Sequence, residues 1–110
     1  MNKLRTVPIA FLFAAGLLAS AGMKAQAGDL EAGKKVYDEK KCSMCHRIDG
    51  KGGKMGPDLS FLGDERERGW IADYLKDPKG TKEGSKHKVV KVGEEDFNAL
   101  VDYLASLKKG

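Results

Sequence analysis

The stretch Cys42-Ser43-Met44-Cys45-His46, CSMCH, holds both cysteines of a 110-residue chain and one of its two histidines. Three chemistries can use such a C-x-x-C-H. The first is a disulfide, a spacing that is redox-active when it opens a helix in a βαβ unit. No alternating strand pattern precedes Cys42, however, and the periodic segments of the chain are helical. The second is a zinc site made of Cys42, Cys45, His46 and His87. Two sulfurs and two imidazoles satisfy zinc, although the adjacent Cys45 and His46 would have to converge on one ion, which is not the usual finger spacing. The third is covalent haem attachment, in which two thiols add to the haem vinyl groups and the next residue turns its imidazole onto the iron. Cys42 and Cys45 lie three apart, so one helical turn sets both sulfurs on the same side, with His46 following on that turn. This reading accounts for all three residue types and is the favoured one.

The chain amino-terminal to this motif reads first as an address. Met1–Arg5 carries two positive charges, and Pro8–Ala21 is an apolar run of the length of a secretory signal core, too short for a comfortable membrane span. Small-residue cleavage patterns stand at Ala19-Ser20-Ala21 and Ala25-Gln26-Ala27. The second is favoured because a helix start lies just beyond it, which divides the chain into a signal over 1–27 and one domain over 28–110. Retention of the signal as an anchor is the alternative, and the only route to a membrane. Of 20 basic residues the signal takes Lys3, Arg5 and Lys24, and of 16 acidic residues none. The remainder is therefore close to neutral, and with no aromatic-interleaved basic run a nucleic-acid partner is not expected. A domain of this size buries limited apolar surface, so a cofactor in the core would help it fold.

The helical patterns lie on either side of the motif. Asp29 is a good N-cap for a helix through LEAGKKVYDEK to about Lys40. A last helix is expected over Glu94–Lys109, with three acids in its first turn, Lys108 and Lys109 at its end, and Phe97, Leu100, Val101, Leu104 and Leu107 along one stripe. A middle helix from Glu67 to Lys76 carries Trp70, Ile71, Tyr74 and Leu75 on one side and stops at Asp77-Pro78.

With these features the sequence from Gly28 to Lys109 resembles the class I c-type cytochromes. The resemblance implies an all-α fold in which the N- and C-terminal helices cross around one covalently bound haem c. It implies that Gly33 and Tyr37 meet the last helix near Leu100 and Tyr103. It further implies that Pro57, in the glycine-rich stretch GKMGPDLSFLG, offers its carbonyl to the other nitrogen of His46, and that Trp70 packs on the haem or donates to a propionate. Taken alone, Trp70 reads equally well as a core aromatic.

In that family the loop before the last helix supplies the sixth iron ligand, usually methionine followed by proline in a G-S-K-M-P setting. This chain has Gly84-Ser85-Lys86-His87-Lys88. Beyond the signal the methionines are Met44 and Met55, both on the proximal segment, so His87 is the candidate distal ligand, with five-coordinate iron or ligation by Lys86 or Lys88 as alternatives. Imidazole donates more strongly than thioether, so the expected protein is a low-potential, bis-histidine one-electron carrier, exported to a periplasm, soluble or loosely membrane-associated. A weakly bound His87 would leave a gas-binding or peroxidase-like site, and a haem subunit of a larger oxidoreductase is the further alternative. No acid/base pair, nucleophile constellation or phosphate loop points to an independent enzyme. Six lysines between Lys76 and Lys91, with Asp64, Glu65 and Glu67 elsewhere, suit a redox partner with an acidic docking surface.

Overall fold

The computed structural model describes residues 27–109; Met1–Gln26, which carry nearly all of the expected signal, and Gly110 lie outside the described residues. Five helices dominate: α1 (Ala27–Glu39), α2 (Leu62–Glu65), α3 (Arg68–Lys76), α4 (Pro78–Thr81) and α5 (Glu94–Ala105). The all-α expectation holds, with one small addition. Strands β1 (Arg47–Ile48) and β2 (Lys51–Gly52) pair antiparallel, Arg47 opposite Gly52 and Ile48 opposite Lys51. Their two-residue turn is Asp49-Gly50, both at positive φ, which is the conformation that favours Asp-Gly in tight hairpins.

The fold depends on how closely α1 and α5 cross. Gly33 lies against the Ala99 carbonyl, and a Cβ placed on it would stand 2.5 Å from the Cβ of Tyr103. One turn on, the Tyr37 ring meets that of Tyr103 edge-on, with centroids 5.8 Å apart. The expected pairing is therefore present, except that Ala99 rather than Leu100 faces the glycine. Leu100 points into the core with Val101 and Leu104 from α5, Val36 and Tyr37 from α1, and Ile71 and Leu75 from α3.

Helix ends depart from the sequence expectation for identifiable reasons. α1 is described from Ala27, ahead of the Asp29 at which its start was expected, and runs to Glu39. At the other end Lys41 is left-handed, φ 58°, which turns the chain sharply into the cysteine motif. α5 stops at Ala105, four residues short of Lys109, leaving no basic residue in its last turn. Tertiary hydrogen bonds take the tail instead. The Leu107 carbonyl accepts from the Gly63 N–H at 2.7 Å, and the Lys109 N–H donates to Asp64 Oδ2 at 2.7 Å. Lys108 and Lys109 thus do not complement the α5 dipole. The segment after α3, flexible by its composition, contains α4, which starts with Pro78 and is capped by the Asp77 carboxylate accepting from the Gly80 N–H at 3.1 Å.

Gly33→Ala tests the crossing directly. The Ala99 backbone cannot yield as a flexible side chain would, so the helices must separate, and a loss of about 3 kcal/mol is expected. Chemical denaturation of the substituted protein measures it.

Candidate functional site

The CSMCH motif forms a tight 3₁₀ turn over Cys42–Met44 that continues into His46. The Cys45 and His46 N–H groups both donate to the Cys42 carbonyl, at 3.2 and 3.0 Å. Residues three apart nearly eclipse in such a turn, which keeps Cys42 and Cys45 on a common side. Both thiols are free, so no disulfide forms between them. Cys42 packs against the core and its thiol is pushed up by burial, while Cys45 is exposed. Burial and the neighbouring Cys42 similarly push the Tyr37 phenol up to about 12.

The glycine-rich loop folds back over this turn. The Gly53 N–H donates to the Ser43 carbonyl at 2.8 Å and the Gly56 N–H to the Cys45 carbonyl at 2.7 Å. Gly56 then leaves room for the imidazole: a Cβ there would stand 2.7 Å from His46 Cε1. The payoff of this close approach is a 2.8 Å hydrogen bond between His46 Nδ1 and the Pro57 carbonyl. Behind it, the hairpin and the Asp58–Ser60 segment are tied together by Asp49 N–H to Ser60 Oγ and Ser60 N–H to Asp58 Oδ1, both 2.8 Å. The Ser60 bonds hold the Asp58 carboxyl below its ordinary range.

His46 forms one wall of a cavity of about 270 Å³, and His87 forms another. Leu59, Leu62, Ile71, Leu75 and Leu104 make most of the surface between them apolar. Pro57, Trp70 and Tyr74 also line it. The two cysteines do not, and lie on the turn that carries His46. All four apolar residues of the α3 stripe line the cavity: Ile71 and Leu75 are also buried in the core, whereas Trp70 and Tyr74, stacked with centroids 4.9 Å apart, are half-buried. Arg66 lies over the Trp70 ring at 4.0 Å. Glu65, Arg66 and Lys82 share this wall, so the acidic segment is not remote from the lysine-rich loop as the sequence suggested; the fold brings the two together.

The two histidines are prepared in the same way. His87 Nδ1 meets the Lys88 carbonyl at 2.6 Å, as His46 Nδ1 meets that of Pro57. A carbonyl only accepts, so each neutral ring carries its proton on Nδ1 and keeps the Nε2 lone pair available. The ring centroids lie 6.0 Å apart with planes inclined by 27°. That separation is toward the long end for an aromatic pair. It matches two imidazoles on opposite sides of one metal, where bonds of about 2 Å plus about 1 Å from nitrogen to ring centre at each end require roughly 6 Å.

These features fit a haem between His46 and His87. They do not fit zinc held by the cysteines with these histidines, because among the described residues no group of three or more such side chains is gathered closely enough to hold a metal ion. Met44 and Met55 are both largely exposed and neither lines the cavity. Sequence reasoning passed over Gly56, Tyr74, Ser85 and the hairpin. Asp49-Gly50 was the available signal for the hairpin, while the others become visible only through the atoms they meet.

Known proteins similar to this chain are cytochromes c and part of an oxidase subunit. The model of the family described as cytochrome c matches residues 30–108. The chain is similar to a cytochrome c of Gossypium barbadense, 37% identical over 87 residues, covering 78% of this chain and 69% of that protein. A cytochrome c of Ginkgo biloba is 36% identical over 87 residues, with 78% and 68% covered. The chain is also similar to a cytochrome c oxidase subunit 2 of Alkalihalophilus pseudofirmus, 35% identical over 88 residues, which span 69% of this chain but only 25% of that subunit.

Two measurements check the site. In haem-free protein an alkylating reagent is expected to label Cys45 before Cys42. Because burial raises the Cys42 thiol, its thiolate appears only at higher pH, and the difference in rate should narrow as pH rises. Peptide mapping at several pH values reads this directly. Gly56→Ala is expected to displace the His46 ring and weaken the Pro57 bond, seen as a downfield loss of the Nδ1 proton signal in NMR of the ferrous protein.

Proposed function

Because the chain belongs to the cytochrome c family, we propose that it works as a low-potential one-electron carrier, with His46 and His87 as the axial ligands of its haem. The haem c of this family is attached covalently through the cysteine pair, here Cys42 and Cys45, and supplies a ferric/ferrous couple when bound. The observation that carries the ligand assignment is the matched preparation of the two imidazoles, each with Nδ1 on a carbonyl and the rings 6.0 Å apart.

The protein's contributions follow from that arrangement. The Pro57 and Lys88 carbonyls fix both rings in the Nδ1–H tautomer and raise the basicity of the opposite nitrogen. A more basic imidazole favours ferric iron over ferrous, which lowers the potential relative to a thioether ligand. The apolar walls from Leu59, Leu62, Ile71, Leu75 and Leu104 exclude water and oppose that shift, since ferric iron carries the larger charge. We take ligand identity to be the larger influence. Arg66 and Lys82 on the cavity wall suit the carboxylates of a haem, as Trp70 suits its flat face or its edge.

Family members act with redox partner proteins. For this chain the lysines from Lys76 to Lys91 support docking to an acidic partner, with Glu65 on the cavity wall as the local exception. The basic start and apolar run of residues 1–27 support export to a periplasm, as a soluble or loosely attached protein. Among the described residues no helix is long and apolar enough to cross a membrane. The similarity to part of an oxidase subunit favours one second reading, a haem module that relays electrons while docked to a larger oxidoreductase. Co-purification with a stoichiometric partner would select it.

Optical and low-temperature EPR spectra of wild type and His87→Ala test the ligand assignment. The ferric wild type is expected to be low-spin without the near-infrared band of a thioether ligand, and the variant to be high-spin. A wild type that is high-spin, or a variant that stays low-spin, removes His87 from the iron.

A further inference from the structure

The Pro57 carbonyl holds His46 Nδ1, yet Pro57 has no N–H with which to fasten its own peptide. Its anchoring must come from neighbours in the chain. The residue after His46 and the residue after Pro57 are Arg47 and Asp58, and these two face each other in a parallel bridge. Within it the Leu59 N–H donates to the Arg47 carbonyl at 2.8 Å. The contact between His46 and Pro57 is thus followed, one step along both segments, by a second facing pair.

That second pair is charged. Arg47 Nε stands 3.9 Å from Asp58 Oδ2, and Arg47 Nη1 donates to the Gly53 carbonyl at 3.1 Å. One guanidinium therefore grips the loop on both sides of Pro57, at Gly53 before it and at Asp58 after it. The Arg47 side chain is only 26% exposed, against 49% for Asp58, so the cation has given up most of its water for these partners. Asp58 is fixed in turn. Its Oδ1 accepts from the Ser60 N–H, and Ser60 Oγ accepts from the Asp49 N–H at the hairpin turn, both at 2.8 Å. A different ion pair, Arg68 with Asp102, joins α3 to α5 outside this loop.

We propose that Arg47 and Asp58 form a strap that positions the Pro57 carbonyl against His46 and thereby lowers the potential of the iron. Both are positioning residues that act through the loop, and the inference rests on His46 being an iron ligand but not on His87 being one. A carbonyl held close to the Nδ1–H draws that proton toward itself and makes Nε2 the stronger donor, which favours ferric iron. Cutting the strap frees the carbonyl, weakens the donor and favours the ferrous form. A partly exposed ion pair of this kind corresponds to roughly a two- to fivefold change in such an equilibrium.

Redox titration of the purified holoprotein provides the test, with NMR of the ferrous form reading the Nδ1 proton of His46. Arg47→Gln and Asp58→Asn each remove one charge, and the asparagine keeps an acceptor for the Ser60 N–H. Asp58 is half exposed, so Asp58→Asn leaves the test standing where Arg47→Gln does not fold. Arg68→Gln cuts the pair between α3 and α5 and controls for general loosening. The strap requires the ferric/ferrous equilibrium to shift roughly two- to fivefold toward ferrous in each of the first two variants, with little further shift when they are combined. The potential rises accordingly, at about 59 mV for each tenfold change. The Nδ1 proton signal should move upfield in both, while Arg68→Gln leaves potential and signal in place whatever it does to the denaturation midpoint. A potential unchanged in either single variant, additive shifts in the double, or an equal shift in Arg68→Gln overturns the strap and leaves His46 on the iron. A wild type whose His46 ring protons lack the strong upfield shifts of an imidazole seated on a haem face overturns the ligand reading itself.

Discussion

Close contact between α1 and α5 at Gly33 is the constraint from which the rest of the molecule is built. With no side chain at that position, the Ala99 carbonyl and the Tyr103 Cβ can approach the α1 backbone, and Tyr37 and Tyr103 pack one turn further along. The crossing fixes the direction in which α1 ends. Lys41 then turns left-handed and delivers CSMCH to one side of the core. From the other helix, Leu104 reaches the cavity, and the tail after Ala105 is bound to Gly63 and Asp64 of α2. A small domain has few apolar contacts to spare, so one glycine at a helix crossing governs both the core and the orientation of the site.

The two faces of the cavity are organised by different means. On the His46 side, backbone does the work: Gly53 and Gly56 bond to the carbonyls of the attachment turn, and Pro57 presents its own carbonyl to Nδ1. This is a short-range construction within some fifteen residues of sequence. The His87 side relies on α3, whose Tyr74 and Leu75 hold the loop from outside. Both sides arrive at the same arrangement, an imidazole whose Nδ1 faces a backbone carbonyl. Electron transfer benefits from such constraint, because ligands that barely move between oxidation states leave little reorganisation to be supplied by the surroundings.

Much of this was legible in the residues. CSMCH pointed to the cofactor chemistry, the family resemblance carried by Gly33, Tyr37 and the stripe from Phe97 to Leu104 implied the crossing helices, and Asp77-Pro78 marked the end of α3. Where the reading fell short, long-range hydrogen bonds were responsible. Leu107–Lys109 continue a helical pattern, yet Gly63 and Asp64 claim their backbone groups. The acidic and basic segments looked separate along the chain and meet at Glu65 and Lys82 because α2 and the distal loop border the same cavity.

The sequence by itself determined which groups the protein could use: two thiols and an imidazole on one turn, a second imidazole where a thioether is usual, and enough periodic apolar residues for three main helices. These are local properties, set by residue type and by spacings of three and four. Only the tertiary structure decided that His46 and His87 face each other at 6.0 Å, that Gly56 clears the space for one ring, and that Tyr74 reaches the loop of the other. Such relations join residues far apart in the chain, and their distances depend on how the helices cross, which no spacing in the sequence encodes.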